Sequence, residues 1–127
     1  MSALVKMIGF FGATDFAQAK EFYGNVLGFL QLNEDDHGMT FDANGSRLRV
    51  VRAKEFAPAS GTVLGWNVDD LHETIRELVA RGVLFEQFKV PFMPQDELGV
   101  WTAPTGDQVA WFKDPSGNVL SLSKHPF

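Results

Sequence analysis

Residues 110–122 read AWFKDPSGNVLSL. Two apolar runs flank Asp114-Pro115-Ser116-Gly117-Asn118, where Pro115 presets φ for a turn and Gly117 tolerates φ > 0. The chain therefore reverses between two strands at this point. The turn chemistry leaves one residue unexplained, a neutral Ser rather than an acidic side chain at Ser121 inside the second strand.

Working outward, the same signals occur twice along the chain. Residues 4–11, LVKMIGFF, are a short apolar run suited to a buried strand. Asp15 with Gln18 has capping-box spacing, Phe16, Ala19, Phe22, Tyr23, Val26 and Leu27 follow at helical intervals, and Gly28 supplies a stop. FLQLNEDD, GMTFD and RLRVVRA then read as strands, the last two joined by Asn44-Gly45, a strong hairpin signal. After a loop-like joint, TVLGWNV reads as a strand. Asp70 with Glu73 repeats the cap, and Leu71, Ile75, Leu78 and Val79 make a helical stripe that ends at Gly82. GVLFEQF is strand-like, VPFMPQDE is a loop, GVWTAP and QVAWF flank Thr105-Gly106, and NVLSL closes the chain. Each half is thus β-α-β-β-β, an internal duplication. The expected fold is α+β: two tandem βαβββ modules form a curved mixed sheet around a groove, with the helices on the outer face. Module one spans about 1–53, the joint about 54–61 and module two about 62–127, within a single domain.

Composition narrows the function classes. The 127 residues are 45% hydrophobic, enough for a real core, and contain no cysteine, which excludes disulfides, thiolate nucleophiles and zinc–thiolate sites. A net charge of −5 without any Lys/Arg cluster argues against nucleic acid. No apolar stretch approaches the roughly 20 residues that span a bilayer, and the N-terminus lacks the pattern of a signal peptide. A soluble cytoplasmic protein is expected.

Taken together, Asp15 with FAQAKEFYGNVLGF, VDDLHETIRELVARG from Val68, and FKDPSGNVLSL from Phe112 resemble the vicinal oxygen chelate superfamily. This is the group of glyoxalases, bleomycin-resistance proteins and extradiol dioxygenases. The resemblance implies a groove, frequent homodimerisation and, in the enzymes, one divalent metal held by His and Glu side chains from equivalent strands. Carried over residue by residue, the ligand positions fall at Ile8, Val63, Ser121 and Arg49. Ile8 and Val63 have no donor atom, Arg49 is a permanent cation and Ser121 is a poor neutral ligand. His37, His72 and His125 stand elsewhere, and of these only His125 is expected near a groove mouth. No cofactor is therefore expected.

Strand alternation suggests what lines the groove instead. Leu48 and Val50 face the helix, so Arg49 faces the groove. There it either anchors a carboxylate or phosphate through a bidentate guanidinium, or is a rim arginine that is solvated or ion-paired to a nearby Asp. Val63, Gly65 and Asn67 point toward the groove, while Leu64, Trp66 and Val68 point toward the helix. Phe10 corresponds to Gly65 and lines the groove, with Trp101 and Trp111 as aromatic walls. Tyr23 belongs to the core. Asp96 and Glu97 sit in a loop that either closes over a ligand or carries solvated charge. Asp35-Asp36 and Asp69-Asp70 are turn and cap residues, and no Ser/His/Asp arrangement stands out. The expected ligand-binding set is Phe10, Arg49, Val63, Asn67, Trp101, Trp111 and Ser121, with no metal.

The leading function is metal-independent binding of a small organic molecule, with sequestration or resistance as one biological version and a homodimer expected. The rivals are a metal-dependent lyase, isomerase or dioxygenase with non-standard ligands, and a regulatory partner domain.

Overall fold

The computed structural model describes residues 3, 4 and 6–126. Two compact units make up the chain. One comprises the chain up to Pro58 together with Pro115–Gly117, the other Ala59–Asp114 and the chain from Asn118 onward.

The first unit contains β1 (Ile8–Ala13), α1 (Phe16–Glu21), β2 (Leu30–Glu34), β3 (Gly38–Ala43) and β4 (Ser46–Arg52). The apolar run expected over 4–11 becomes a strand only from Ile8, and Val5 lies outside the described residues. Asp15 caps α1 as its spacing predicts, accepting a hydrogen bond from the Gln18 N–H at 3.0 Å. Beyond Glu21 the helix widens into a π-helical turn over Phe22–Val26, closed by the Leu27 N–H on the Phe22 carbonyl at 2.8 Å. Two consecutive side chains, Phe22 and Tyr23, are buried there. Gly28 then ends the helix at φ +77°, a conformation that costs glycine little.

Sheet order in this unit is β1-β4-β3-β2, with β1 parallel to β4 and the other pairs antiparallel. Asn44 and Gly45 both take positive φ between β3 and β4, the geometry of a two-residue hairpin turn. One face of the sheet carries Phe11, Met39, Phe41, Leu48 and Val50, against which Tyr23 packs. Its ring lies 5.2 Å from Phe11 and 6.0 Å from Phe41. Tyr23 is fully buried, as the helical stripe implies.

The second unit repeats the plan with β5 (Thr62–Asn67), α2 (Leu71–Ala80), β6 (Trp101–Thr102), β7 (Gln108–Lys113) and β8 (Val119–Lys124). Asp70 caps α2 through the Glu73 N–H at 3.1 Å. Sheet order is β5-β8-β7-β6, with only the β5–β8 pair parallel. The core of this unit combines Leu71, Ile75 and Leu78 of α2 with Ala110, Phe112, Leu120 and Leu122 of β7 and β8.

The 114–118 turn joins β7 to β8 as expected, and its side chains lock it. Asp114 Oδ1 accepts from the Asn118 N–H at 2.9 Å, and Asn118 Nδ2 donates to Asp114 Oδ2 at 2.8 Å. Both residues are buried.

Among the described residues, then, each βαβββ module of the expected α+β fold forms a four-stranded mixed sheet with its own helix. GVLFEQF is not a strand. Phe85 makes one isolated bridge to Phe112 and the Glu86 N–H donates to the Trp111 carbonyl at 2.8 Å. Beyond this the backbone finds side-chain partners. Gln95 accepts from the Phe88 N–H at 2.8 Å and donates to the carbonyls of Glu86 and Gly99 at 2.9 and 2.8 Å. Backbone polar groups seek partners, and here a glutamine supplies two that a neighbouring strand would have supplied.

Candidate functional site

The expected site residues fall into two sets, one in each unit. Phe10 and Arg49 belong to the first unit. Val63, Asn67, Trp101, Trp111 and Ser121 belong to the second.

In the first unit Phe10 and Arg49 are register partners across the parallel β1–β4 ladder, and Arg49 also pairs with Thr40 of β3. Alternation holds: Ile8 and Phe10 are 48% and 65% exposed, whereas Leu48 and Val50 are buried. Arg49 is engaged within its own unit. Nη2 donates to both carboxylate oxygens of Asp35 at 3.0 Å, and Nη1 donates to Thr40 Oγ1 at 3.1 Å and Asn33 Oδ1 at 3.3 Å. Asp35 in turn accepts from the N–H groups of His37 and Gly38 at 2.8 and 3.0 Å. The His37 bond, followed by the Arg49 fork, holds the Asp35 carboxyl below the usual carboxylate range. Of the readings open for Arg49, the ion pair with a nearby Asp is the arrangement present. Gly38 makes room for it, since a Cβ there would lie 2.5 Å from the Val50 carbonyl oxygen and 3.3 Å from the guanidinium.

In the second unit Trp111 pairs with Ser121, and Ser121 with Gly65. Trp101 stacks on Trp111 with ring centroids 6.4 Å apart, and Phe88 meets Trp111 edge-on at 5.4 Å. Val63 stands at a β-bulge between Thr62 and Leu64 and is 41% exposed. A bulge puts one extra residue into a strand and breaks strict alternation. Thr62 thereby reaches the Trp111 side, where the indole N–H donates to its hydroxyl at 3.0 Å. Sequence alternation does not reveal this Thr62 contact. Trp66 is half-buried on the same side as Leu64, as expected.

The four family ligand positions do not suit a divalent metal. Ile8 and Val63 present alkyl groups, and the Arg49 guanidinium holds Asp35. The Ser121 hydroxyl is tucked over Gly65, where an added Cβ would fall 2.4 Å from its oxygen. Among the described residues no group of three or more His, Cys, Asp or Glu side chains is gathered as a metal would need.

Asp96 does not stand as a free loop charge. Its Oδ1 accepts from the N–H groups of Leu98 and Val100, both at 2.9 Å, and Oδ2 meets His72 Nε2 at 2.8 Å. Partial burial pushes the carboxyl up, but the bonds from His72, Val100 and Leu98 outweigh it and bring the pKa down. The pair ties the 83–100 loop to helix α2.

One arrangement escaped the sequence. His125 Nδ1 lies 2.7 Å from Asp107 Oδ1, and His125 Nε2 lies 3.1 Å from Ser123 Oγ. Ser123 lies on β8 and His125 follows one residue beyond its end, a spacing of two that is visible in the sequence. Asp107 joins them through the β7–β8 register, in which Val109 faces Ser123 and Gln108 faces Lys124.

A separate apolar hollow of about 400 Å³ lies in the first unit, lined by Ala17, Gln18, Glu21, Phe22, Val26 and Pro115. None of the expected site residues lines it. No helix of the described residues is long and apolar enough to cross a membrane.

Paired βαβββ units with mixed four-stranded sheets define the class of protein. The family model for the glyoxalase/bleomycin resistance protein/dioxygenase superfamily matches residues 10–122, and the chain belongs to that superfamily. Similar folds include lactoylglutathione lyase from Agrobacterium tumefaciens, at TM-score 0.71 and 19% identity over 93% of this chain and 91% of that one. A glyoxalase family protein from Enterococcus faecalis gives 0.69 and 21% over 93% and 94%. The bleomycin resistance determinant encoded on transposon Tn5 gives 0.72 and 20% over 96% and 98%. At these identities the likeness is one of fold. Comparison with curated proteins gives no match.

Proposed function

We propose that the protein binds a small organic molecule without a metal, on the aromatic face of its second unit. The observation that carries this is the run Phe88–Trp111–Trp101, edge-on and then stacked, on the face that also bears Ser121. Small-molecule sites are largely apolar and aromatic with a few polar groups, and here Thr62, Asn67 and Ser121 supply the polar contacts. On its own sheet the first unit presents exposed Phe10 beside Arg49, whose guanidinium is paired with Asp35. A carboxylate ligand would have to compete with Asp35 for the guanidinium.

Exposed Ile8, Phe10 and Leu30 on the first sheet favour a homodimer that covers them, because monomers seldom leave such apolar groups bare. Sequestration is the biological role that fits a binding site of this kind.

Fluorescence of the tryptophans tests the binding, titrated with a panel of aromatic acids and cationic glycopeptides. Binding is expected to change Trp111 emission, and Trp111→Leu should abolish the response. A panel that leaves the emission unchanged, or a metal copurifying at one per chain by elemental analysis, would overturn the reading.

A further inference from the structure

The Ser123–His125–Asp107 chain has no role in the binding just described, yet it has the connectivity of a nucleophile, a base and a group that orients the base. The Asp107 carboxylate accepts from the Thr105 hydroxyl at 2.6 Å as well as from His125, and those bonds keep it ionised well into acid. An ionised carboxylate only accepts hydrogen bonds, so the proton between the two groups sits on His125 Nδ1. In the neutral ring Nε2 then carries the lone pair, and Ser123 Oγ donates to it across 3.1 Å. This is the tautomer a general base requires.

Solvent reaches the base and its partner, since the His125 and Asp107 side chains are each 30% exposed. Asn67 is the register partner of Ser123 across the parallel β5–β8 ladder and is exposed on the same face, so its side-chain amide is placed to donate to an oxyanion. Val109, opposite Ser123 on β7, adds apolar surface.

We propose that Ser123, His125 and Asp107 form an acyl-transfer site for small apolar carboxylic esters. Ser123 Oγ attacks the ester carbonyl carbon while its proton passes to His125 Nε2. The acyl–oxygen bond to the alcohol then breaks, and the alkoxide leaves with that proton. Water, deprotonated by His125, attacks the acyl carbon, releases the carboxylic acid and returns the proton to Ser123. Asp107 is a positioning residue that holds the imidazole in the required tautomer. The preference for apolar acyl groups rests on the aromatic face described above; the chemistry does not.

A fluorophosphonate probe tests the chemistry directly, with peptide mass spectrometry to locate the adduct. One adduct on Ser123 is expected, with none in Ser123→Ala. His125→Gln should slow labelling by about 10²-fold, the low end of what a positioned general base contributes. Asp107→Asn, nearly isosteric, should lower kcat for p-nitrophenyl butyrate at least tenfold with KM little changed. An unlabelled Ser123, or labelling as fast in His125→Gln as in the parent, would overturn the proposal, provided each variant keeps the parent's circular dichroism. Loss of the Trp111 response with Ser123 labelling intact would count against the binding reading alone.

Discussion

Replacing Asp114 with Ala tests whether the 114–118 turn is held by its side chains or by backbone conformation alone. The carboxylate takes two hydrogen bonds from Asn118, at 2.9 and 2.8 Å, and the two residues are only 6% and 1% exposed. A hydrogen bond to a charged group contributes roughly 1.5–3 kcal/mol, and the donors left behind have little water to turn to. The two bonds share one carboxylate and do not add fully, so Asp114→Ala should cost about 3 kcal/mol. Asn118→Ala should cost about 2 kcal/mol by the same reasoning. Because the residues act as one unit, the double variant should fall short of the sum, with a coupling of about 1–2 kcal/mol. Urea denaturation followed by tryptophan fluorescence measures all three, and the single Asp114 variant should also melt roughly 10 °C lower. A cost below about 0.5 kcal/mol, or a coupling indistinguishable from zero, would show that Pro115 and Gly117 make the turn unaided.

The other expectations follow from single observations. Tyr23→Ala empties a fully buried site between Phe11, Phe22 and Phe41 and should cost about 3–5 kcal/mol in the same denaturation assay. Gly38→Ala forces a Cβ to 2.5 Å from the Val50 carbonyl, and should cost about 2 kcal/mol while weakening the Arg49–Asp35 fork; a neutral result would contradict that close approach. The pKa of Asp96 is depressed on folding from an ordinary value of 3.8, so its stabilisation is full above that value and disappears as pH falls through the lower folded value. The amide proton shifts of Leu98 and Val100 should therefore titrate with a midpoint below 3.8, and a midpoint at or above it would refute the assignment.

Much of this architecture is legible in the sequence because it is written locally. Asp15 and Asp70 cap helices three residues ahead, Asn44-Gly45 and the 114–118 stretch are turns complete within a few residues, and strand alternation assigns faces. These signals depend on neighbours in the chain, and each sits where its chemistry places it. The lack of any metal-ligating atom at Ile8 and Val63, and the permanent positive charge at Arg49, are likewise properties of residue type alone.

What the tertiary structure decided depends on partners distant in the chain. GVLFEQF has strand composition, but Gln95 takes up the Phe88 N–H and the Glu86 carbonyl, and the segment makes only one isolated bridge to the sheet. Arg49 has the chemistry to bind an anion, but Asp35, fourteen residues earlier, is brought beneath it by the β2–β3–β4 pairing. The bulge at Val63 turns Thr62 onto the Trp111 face against strict alternation. The same locked turn whose sequence identifies the fold also sets the β7–β8 register. That register carries Asp107 to His125, eighteen residues away, and composes an arrangement that spacing along the chain does not reveal.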